Sequence, residues 1–563
     1  MPKKVYIGFC TSLIGLIAAL FFAVPTINAQ FDTPTNIVGV HQISPSDKDI
    51  RDGCRLVNAN GGAWGWQLIV IREGEYTVDQ LQHLHDVARE EKCILIHRLA
   101  TGFASGDSWA RPTEKTNAYF ADLLSKVNTS TKDKFVVWLN EPNHGSEFGG
   151  TCDPVAYGNS AVAAARELKE KDSNIVFMLA GLDLAAPESR PQYCDAGRFY
   201  QDMLSQVPQV VDYWDALASH CYPLNFVGSA TTSGRRSIMC YKWEKSLLQS
   251  LGVKKAADFK VFITETGWKH ESDGVPISYA ADNTRFALQR WHDSGDVEGV
   301  MYFAYKFLTP PFSTFSLVDQ ENKGNEIAYT ISGFPKIKGE PEQIYKSTCT
   351  GTFPKDLVES VPYEIAIECE NKGTDIWNGL NGGYSLVLQS PFDYSCTDFH
   401  KVSPGHVLRT TCTINPGRTS GCPTLNIGMV HDGQLLMNMI QTEMCVFPHP
   451  RLLLSNIRKF PGIAIQDGSV EVQVIKEGSE ELVYRTVASV TKGVIAIPSV
   501  EGVTLDDIYR VVVLKAGSLP VQVVNVHFGK TTNELEVPVF LPIDSNEDGK
   551  FSLSDLISAH TRN

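Results

Sequence analysis

From about residue 36 to 310 the chain alternates short apolar runs with amphipathic stretches. The runs that read as strands are "NIVGVHQ" (36–42), "WQLIVI" (66–71), "CILIHRL" (93–99), "FVVWLNE" (135–141), "IVFMLAG" (175–181), "WDALASHCY" (214–222), "KVFITETGW" (260–268) and "GVMYFAYKF" (299–307). Between them, "TVDQLQHLHDVAREEK", "DPVAYGNSAVAAARELKEKD" and "AADNTRFALQRWHDSG" place apolar residues at i and i+3 or i+4 behind a first-turn cap, and so predict helices. Eight strands, mostly separated by helices over roughly 270 residues, have the size and rhythm of a (β/α)8 TIM barrel. A doubly wound sheet is the alternative, but no glycine-rich phosphate loop follows any run.

After about residue 340 the period changes. "YEIAIECENKG", "YSLVLQS", "HVLRTTCTI" and "LNIGMVHDGQLLMNMI" are strand-like runs broken by Gly, Pro and Asn, and predict a β-sandwich over 341–448. "FPHPRLLL" reads as a linker into a second β-domain over 455–540, where "SVEVQVIKEG" alternates strictly. Residues 541–563 differ again. At the other end, "MPKKVYIGFCTSLIGLIAALFFAVPTINAQ" opens with lysines, runs uncharged from Val5 to Phe31 and offers a small-residue cleavage site at Ala29. This predicts a signal peptide over 1–29, with an uncleaved membrane anchor as the alternative, and a barrel domain over 30–340 in a secreted or surface-tethered protein.

Composition refines this only slightly. The chain of 563 residues is 43% hydrophobic and carries a net charge of -14 without a sizeable basic cluster, which argues against nucleic acid or an anionic membrane as partner. Apart from Cys10 in the leader, six cysteines precede residue 300 and six lie between 349 and 445. Even counts in each segment fit disulfides closed within domains, with Cys152–Cys194 and Cys221–Cys240 as candidate staples, and no spacing points to zinc.

Barrel enzymes hold their chemistry at the C-terminal ends of strands. Two carboxylates stand there: Glu141 in "WLNEPN", closing strand 4, and Glu265 in "FITETGW", closing strand 7. Facing each other across the mouth, they are the minimum equipment for glycosidic bond cleavage, in which one carboxyl donates a proton to the leaving oxygen while the other attacks the anomeric carbon. The bland alternative is two solvated glutamates at strand ends. Pro142 predicts an extended backbone at Glu141.

"NEP" after strand 4 and "TETGW" after strand 7 resemble the clan A glycoside hydrolases, retaining (β/α)8-barrel enzymes. The resemblance covers about 300 of the 563 residues and implies that Glu141 is the acid/base, Glu265 the nucleophile and Asn140 the ligand of the sugar 2-hydroxyl. In "SHCYP", His220 and Tyr222 match the clan's His and Tyr near the nucleophile; otherwise they are a core pair satisfied by backbone. Arg98 in "LIHRLA" can orient a carboxylate, bind substrate or form a structural ion pair, and His41 ends strand 1. Trp64, Trp66, Trp109 and above all Trp268 are candidates for stacking on sugar C–H faces. Where the clan carries a Trp after strand 8, this sequence has Tyr302, Phe303 and Tyr305.

In "DSNEDGKFSLSD" oxygen-bearing residues fall at positions 1, 3, 5, 9 and 12 of a calcium loop: Asp544, Asn546, Asp548, Ser552 and Asp555. Gly549 sits at the turn, and Lys550 can offer its carbonyl. The segment resembles a dockerin repeat, an EF-hand half with an exiting helix. Dockerins carry two repeats and one is present, so a cohesin-like partner is in doubt and a calcium clip is the alternative. "CENKGTDIWNGLNGGYSL" (369–386) resembles an Ig-like surface module, and 455–540 resembles the carboxypeptidase-regulatory β-sandwich. Together these features predict an extracellular hydrolase of a β-linked polysaccharide or oligosaccharide, needing no organic cofactor. A non-catalytic carbohydrate-binding or adhesion protein and a transglycosidase are the alternatives.

Overall fold

The structure is a computed structural model that describes residues 34–104, 108–271, 274–436, 439–459 and 463–541, with Lys550, Ser552 and Ser554. The expected leader and four of the expected calcium ligands, Asp544, Asn546, Asp548 and Asp555, lie outside the described residues. Residues up to Val127 and from Asp133 to Pro341 form one compact unit; Asn128–Lys132 and those from Glu342 onward form a second.

The first unit is an eight-stranded parallel sheet curled into a near-closed barrel. Its strands are β1 (Val38–Gln42), β2 (Gly65–Arg72), β3 (Cys93–Ala100), β4 (Lys134–Trp138), β5 (Ile175–Leu179), β6 (Leu217–His220), β7 (Val261–Thr266) and β8 (Val297–Tyr302), in the order β5-β4-β3-β2-β1-β8-β7-β6. These apolar runs are buried on both faces, as strands of a parallel sheet covered by helices must be. Outside pack α1 (Asp47–Asn58), α2 (Val78–Glu90), α3 (Glu114–Ser125), α4 (Pro154–Lys171), α5 (Ala196–Gln206), α6 (Val210–Tyr213), α7 (Cys240–Ser250), α8 (Ile277–Ser294) and α9 (Glu326–Gly333). Ser46 and Thr77 start α1 and α2 with reciprocal capping boxes, which satisfy the first free N–H groups. Inside, Trp66, Ile96, Phe135, Met178, Phe262 and Met301 fill the N-terminal half with apolar side chains. That floor takes Trp66 and, at its edge, Trp64, so neither rims the mouth.

Three disulfides brace this unit: Cys54–Cys93, Cys152–Cys194 and Cys221–Cys240, the last two as expected. Among the described residues no helix is long and apolar enough to cross a membrane.

The second unit is mostly antiparallel, with parallel strand pairs only at Asp356–Val358 with Cys445–Phe447 and at Arg451–Ser455 with Thr532–Glu536 among the described residues, and it holds two apolar cores. Around the first, β9 (Ser347–Thr352), β11 (Tyr363–Asn371), β13 (Asp393–Cys396) and β14 (Val407–Asn415) form a sheet in the order β13-β14-β11-β9. The facing sheet pairs β12 (Tyr384–Gln389) with β15 (Thr424–His431), and the short β10 (Asp356–Val358) pairs with Cys445–Phe447. Cys349 lies opposite Cys369 and Cys396 opposite Cys412 in strand register, and each opposed pair is a disulfide; Cys422–Cys445 is the third bridge. Around the second core a four-stranded sheet packs with a three-stranded one. Arg451–Ser455 is the middle strand of that three-stranded sheet, which corrects the expected linker: the second sandwich begins there, because alternate residues Leu452 and Leu454 enter its core.

The "CENKGTDIWNGLNGGYSL" stretch serves the first sandwich. Asn371 is fully buried and its amide donates to the carbonyls of Asp375 (2.9 Å) and Val402 (3.0 Å), while Trp377 lies in the core. A side chain at Gly373 would meet the Ile344 carbonyl at 2.3 Å, so the backbone approach there requires glycine.

Candidate active site

Side chains that point into the barrel alternate with those that point out, so the inward series continues from floor to mouth two residues at a time. Ile96 on β3 leads to Arg98, Gly39 on β1 to His41, and Ala218 on β6 to His220. Glu265 breaks this count, because it lies three residues beyond the inward Phe262. The ladder between β6 and β7 shifts register between Ser219 and His220, which places His220 beside Glu265. That irregularity turns Glu265 into the mouth.

β4 ends at Trp138, before the predicted 141, and Glu141 stands on the loop that follows. The expectation of extended backbone at Glu141 is corrected: φ is 67° at Leu139 and 29° at Glu141. Residues of this type hold such angles only where their surroundings over-determine them. Here the His144 N–H donates to the Glu141 carbonyl at 2.8 Å. The buried Asn143 amide donates to the carbonyls of Asp183 (2.9 Å) and Cys194 (3.2 Å) and accepts from the Asp183 N–H (3.1 Å). The Cys152–Cys194 bridge holds the far side of that contact.

Of the eight residues expected in the barrel mouth, six meet. Arg98 Nη1 donates to Glu265 Oε1 at 2.9 Å and to Asn140 Oδ1 at 2.7 Å. The Tyr222 hydroxyl donates to Glu265 Oε2 at 3.1 Å. His220 Nδ1 lies 2.7 Å from Glu141 Oε1 and 3.7 Å from Glu265 Oε2, bridging the two carboxylates. One oxygen of each glutamate and the imidazole nitrogen all fall within 4.8 Å of one another. Burial opposes a charge on His220, but Glu265 and the hydrogen-bonded Glu141 outweigh it and raise its pKa above the ordinary 6.5. Burial, then the charges of Glu265 and Glu141, push the Tyr222 phenol well up, so it stays a donor. Gly181, just beyond β5, makes room: a Cβ there would lie 2.3 Å from His220 Cδ2.

Two expected ligands are elsewhere, and both are corrected. Trp268 is 2% exposed and donates its indole N–H to the Gly228 carbonyl at 2.8 Å, so it offers no open face for stacking. Tyr305 is 1% exposed, with its backbone N–H bonded to the His41 carbonyl and its phenol on the side of Asp52 and Asp49. After β8 it is Phe303 that reaches the site, 5.2 Å from the His41 ring.

The mouth also holds His41, the candidate at the end of strand 1, together with residues that no motif marked. His41 is fully buried, 3.8 Å from Glu265 Oε1, and neither ring nitrogen has a hydrogen-bond partner. Burial, then Arg98 and His220, keep it neutral. His144 and Asp183 pair at 2.9 Å, tying the β4 and β5 loops. Glu147, on the 3-10 turn Gly145–Glu147, is a third carboxyl: burial first and Glu141 second push it up to about 7, against Arg98 and a hydrogen bond with Asn140. The "NHG" after "NEP" marks a turn, but nothing in it foretold which polar side chain would fold back toward Glu141.

No protein-family model matches the chain, and no curated protein does either. Among solved structures it is similar to the beta-glycosidase from Pyrococcus horikoshii at 14% identity and a TM-score of 0.33, over 52% of this chain and 84% of that one. It is similar to a Bacteroides ovatus GH5 xyloglucanase in complex with a XXXG heptasaccharide at 9% and 0.32, over 53% and 67%. A Paenibacillus polymyxa xyloglucanase from GH family 44 matches at 10% and 0.32, over 68% and 97%.

Proposed function

We propose that the barrel is a retaining O-glycoside hydrolase acting on a β-linked polysaccharide or oligosaccharide. The observation that carries this reading is the pair Glu141 and Glu265, with oxygens within 4.8 Å of each other through His220. Retaining enzymes hold their carboxyls about 5–5.5 Å apart, and inverting enzymes about 6.5–9.5 Å, to admit a water.

Glu141 gives its proton to the leaving oxygen as Glu265 attacks the anomeric carbon; Glu141 then takes a proton from the water that breaks the glycosyl ester. Arg98 and Tyr222 each bond one oxygen of Glu265 and fix its approach. Asn140, which accepts from Arg98, reads the sugar 2-hydroxyl in this proposal. His220 bonds Glu141 and has a charge that can follow the proton traffic.

A 2-deoxy-2-fluoro glycoside with a good leaving group should label Glu265, and proton NMR of the first product should show the starting anomer. A label on another residue, or the opposite anomer, overturns the assignment. The six disulfides support export to an oxidising compartment. The C-terminal spacing supports one calcium ion on Asp544, Asn546, Asp548, Lys550, Ser552 and Asp555; calorimetry showing the same calcium heat after Asp544→Ala removes that site.

A further inference from the structure

The loops after β3 and β4 are stitched together beside the reacting carboxylates. The Trp109 N–H donates to the Ser146 carbonyl at 2.8 Å, and the Gly149 N–H donates to the Trp109 carbonyl at 2.8 Å. Ser146 belongs to the 3-10 turn that carries Glu147, and Glu147 hydrogen-bonds Asn140. A polar path therefore runs from Glu265 through Arg98 and Asn140 to Glu147, and the turn that ends it is the one on which Trp109 is hung.

Beyond that turn the surface becomes aromatic. Phe103 is 62% exposed and stacks on Trp109, with ring centroids 4.2 Å apart and planes 29° apart. The Arg72 guanidinium, at the end of β2, lies 5.6 Å from the Trp109 ring and supports it. Leaving a phenylalanine so exposed forgoes roughly 2 kcal/mol of burial. A ring braced by a second ring suits the C–H face of a sugar, and a nearby carboxyl suits its hydroxyls.

We infer that Phe103, Trp109 and Glu147 form a saccharide subsite on the β3–β4 side of the mouth, so that the glycan runs past the cleaved bond and is cut internally. The inference rests on reading the barrel as a glycosidase. Across the mouth, Phe226 and Phe312, 37% and 43% exposed, flank Phe315 and Phe303, so aromatic surface lies on both sides of the carboxylates.

Glu265→Gln separates binding from turnover. In that background, affinity electrophoresis on mixed-linkage β-glucan, arabinoxylan, galactomannan and xyloglucan should find at least one retarding glycan. Phe103→Leu, which keeps the bulk and removes the ring face, should weaken that binding about tenfold, whereas Phe103→Tyr should stay within about twofold. Equal binding by the Leu and Tyr chains, or no retardation on any of the four, overturns the subsite. Hydrolysis is scored separately on the native chain: binding that depends on the ring without turnover removes the enzyme reading and leaves the subsite, and turnover with ring-independent binding does the reverse.

Discussion

Residues two apart on one strand of this barrel meet opposite surroundings. On β3, Ile94 and Ile96 are buried among apolar neighbours, while Arg98 is shared between Asn140 and Glu265. On β6, Ala218 belongs to the floor and His220 bridges two carboxylates. The floor buries apolar area, which stabilises without direction. The mouth buries His41 without a hydrogen-bond partner and crowds three carboxyls around one arginine and one imidazole, which costs stability. One sheet thus carries its apolar stability at one end and its buried polar cluster at the other.

The sharpest break of this contrast is at the mouth. Glu141→Gln should lower kcat by roughly 10²- to 10⁴-fold, the span of general acid–base catalysis, while the thermal midpoint holds or rises; a loss of folding with activity would place Glu141 in the scaffold instead. Phe262→Ala should do the opposite, costing about 3–5 kcal/mol in chemical denaturation while the folded fraction keeps its kcat within about threefold. Gly181→Ala tests the seam, because its Cβ must push the His220 ring. A fall in kcat/KM of about tenfold or more, with little change in midpoint, is expected; unchanged kinetics would mean His220 does not need its place.

The smallest effect is in pH. Glu147 titrates near 4.5 unfolded and about 7 folded, so the native state holds that proton longer. Its contribution is complete below about pH 4.5 and is lost as pH rises through 7. Glu147→Gln should therefore gain in midpoint over the parent from pH 4.5 to pH 8. The barrel wall has the opposite sign. His85 and His97 are buried 2.8 Å apart between α2 and β3, and burial holds both low, His97 down to about 3. Stability from this pair is complete above about pH 6.5 and lost as pH falls toward 3. A parent chain whose midpoint keeps rising from pH 4.5 to 8, with Glu147→Gln parallel to it, would contradict the assignment of Glu147.

Legibility in the sequence follows the same division. The eight apolar runs, the capped helices and the meeting of the two carboxylates were legible because burial imposes a period and strand ends converge on the barrel mouth. Strand ends themselves were read too long at 139–141 and 303–307, because an apolar residue such as Leu139 looks the same in a strand and in a left-handed turn. The ladder shift that turns Glu265 inward lies between strands 45 residues apart and leaves no local trace. Trp268 stands three residues from Glu265 in sequence, but it lies beyond the end of β7, where its indole turns to the Gly228 carbonyl instead of the mouth. His41 is aimed at Glu265, far along the chain, and Glu147 meets Asn140 and Glu141 only because a 3-10 turn folds it back, which composition does not reveal.

In the first sandwich, β13 and β9 are the two outer strands of their sheet, and each is covalently joined to its inner neighbour at directly opposed residues, with Cα atoms 4.0 Å apart. An edge strand is where a sheet is ordinarily unpicked, by a protease lifting it or by a foreign strand displacing it. With both selvedges riveted, this sheet cannot be unzipped one strand at a time, and a pull along the chain meets a sulfur–sulfur bond before it can strip either border.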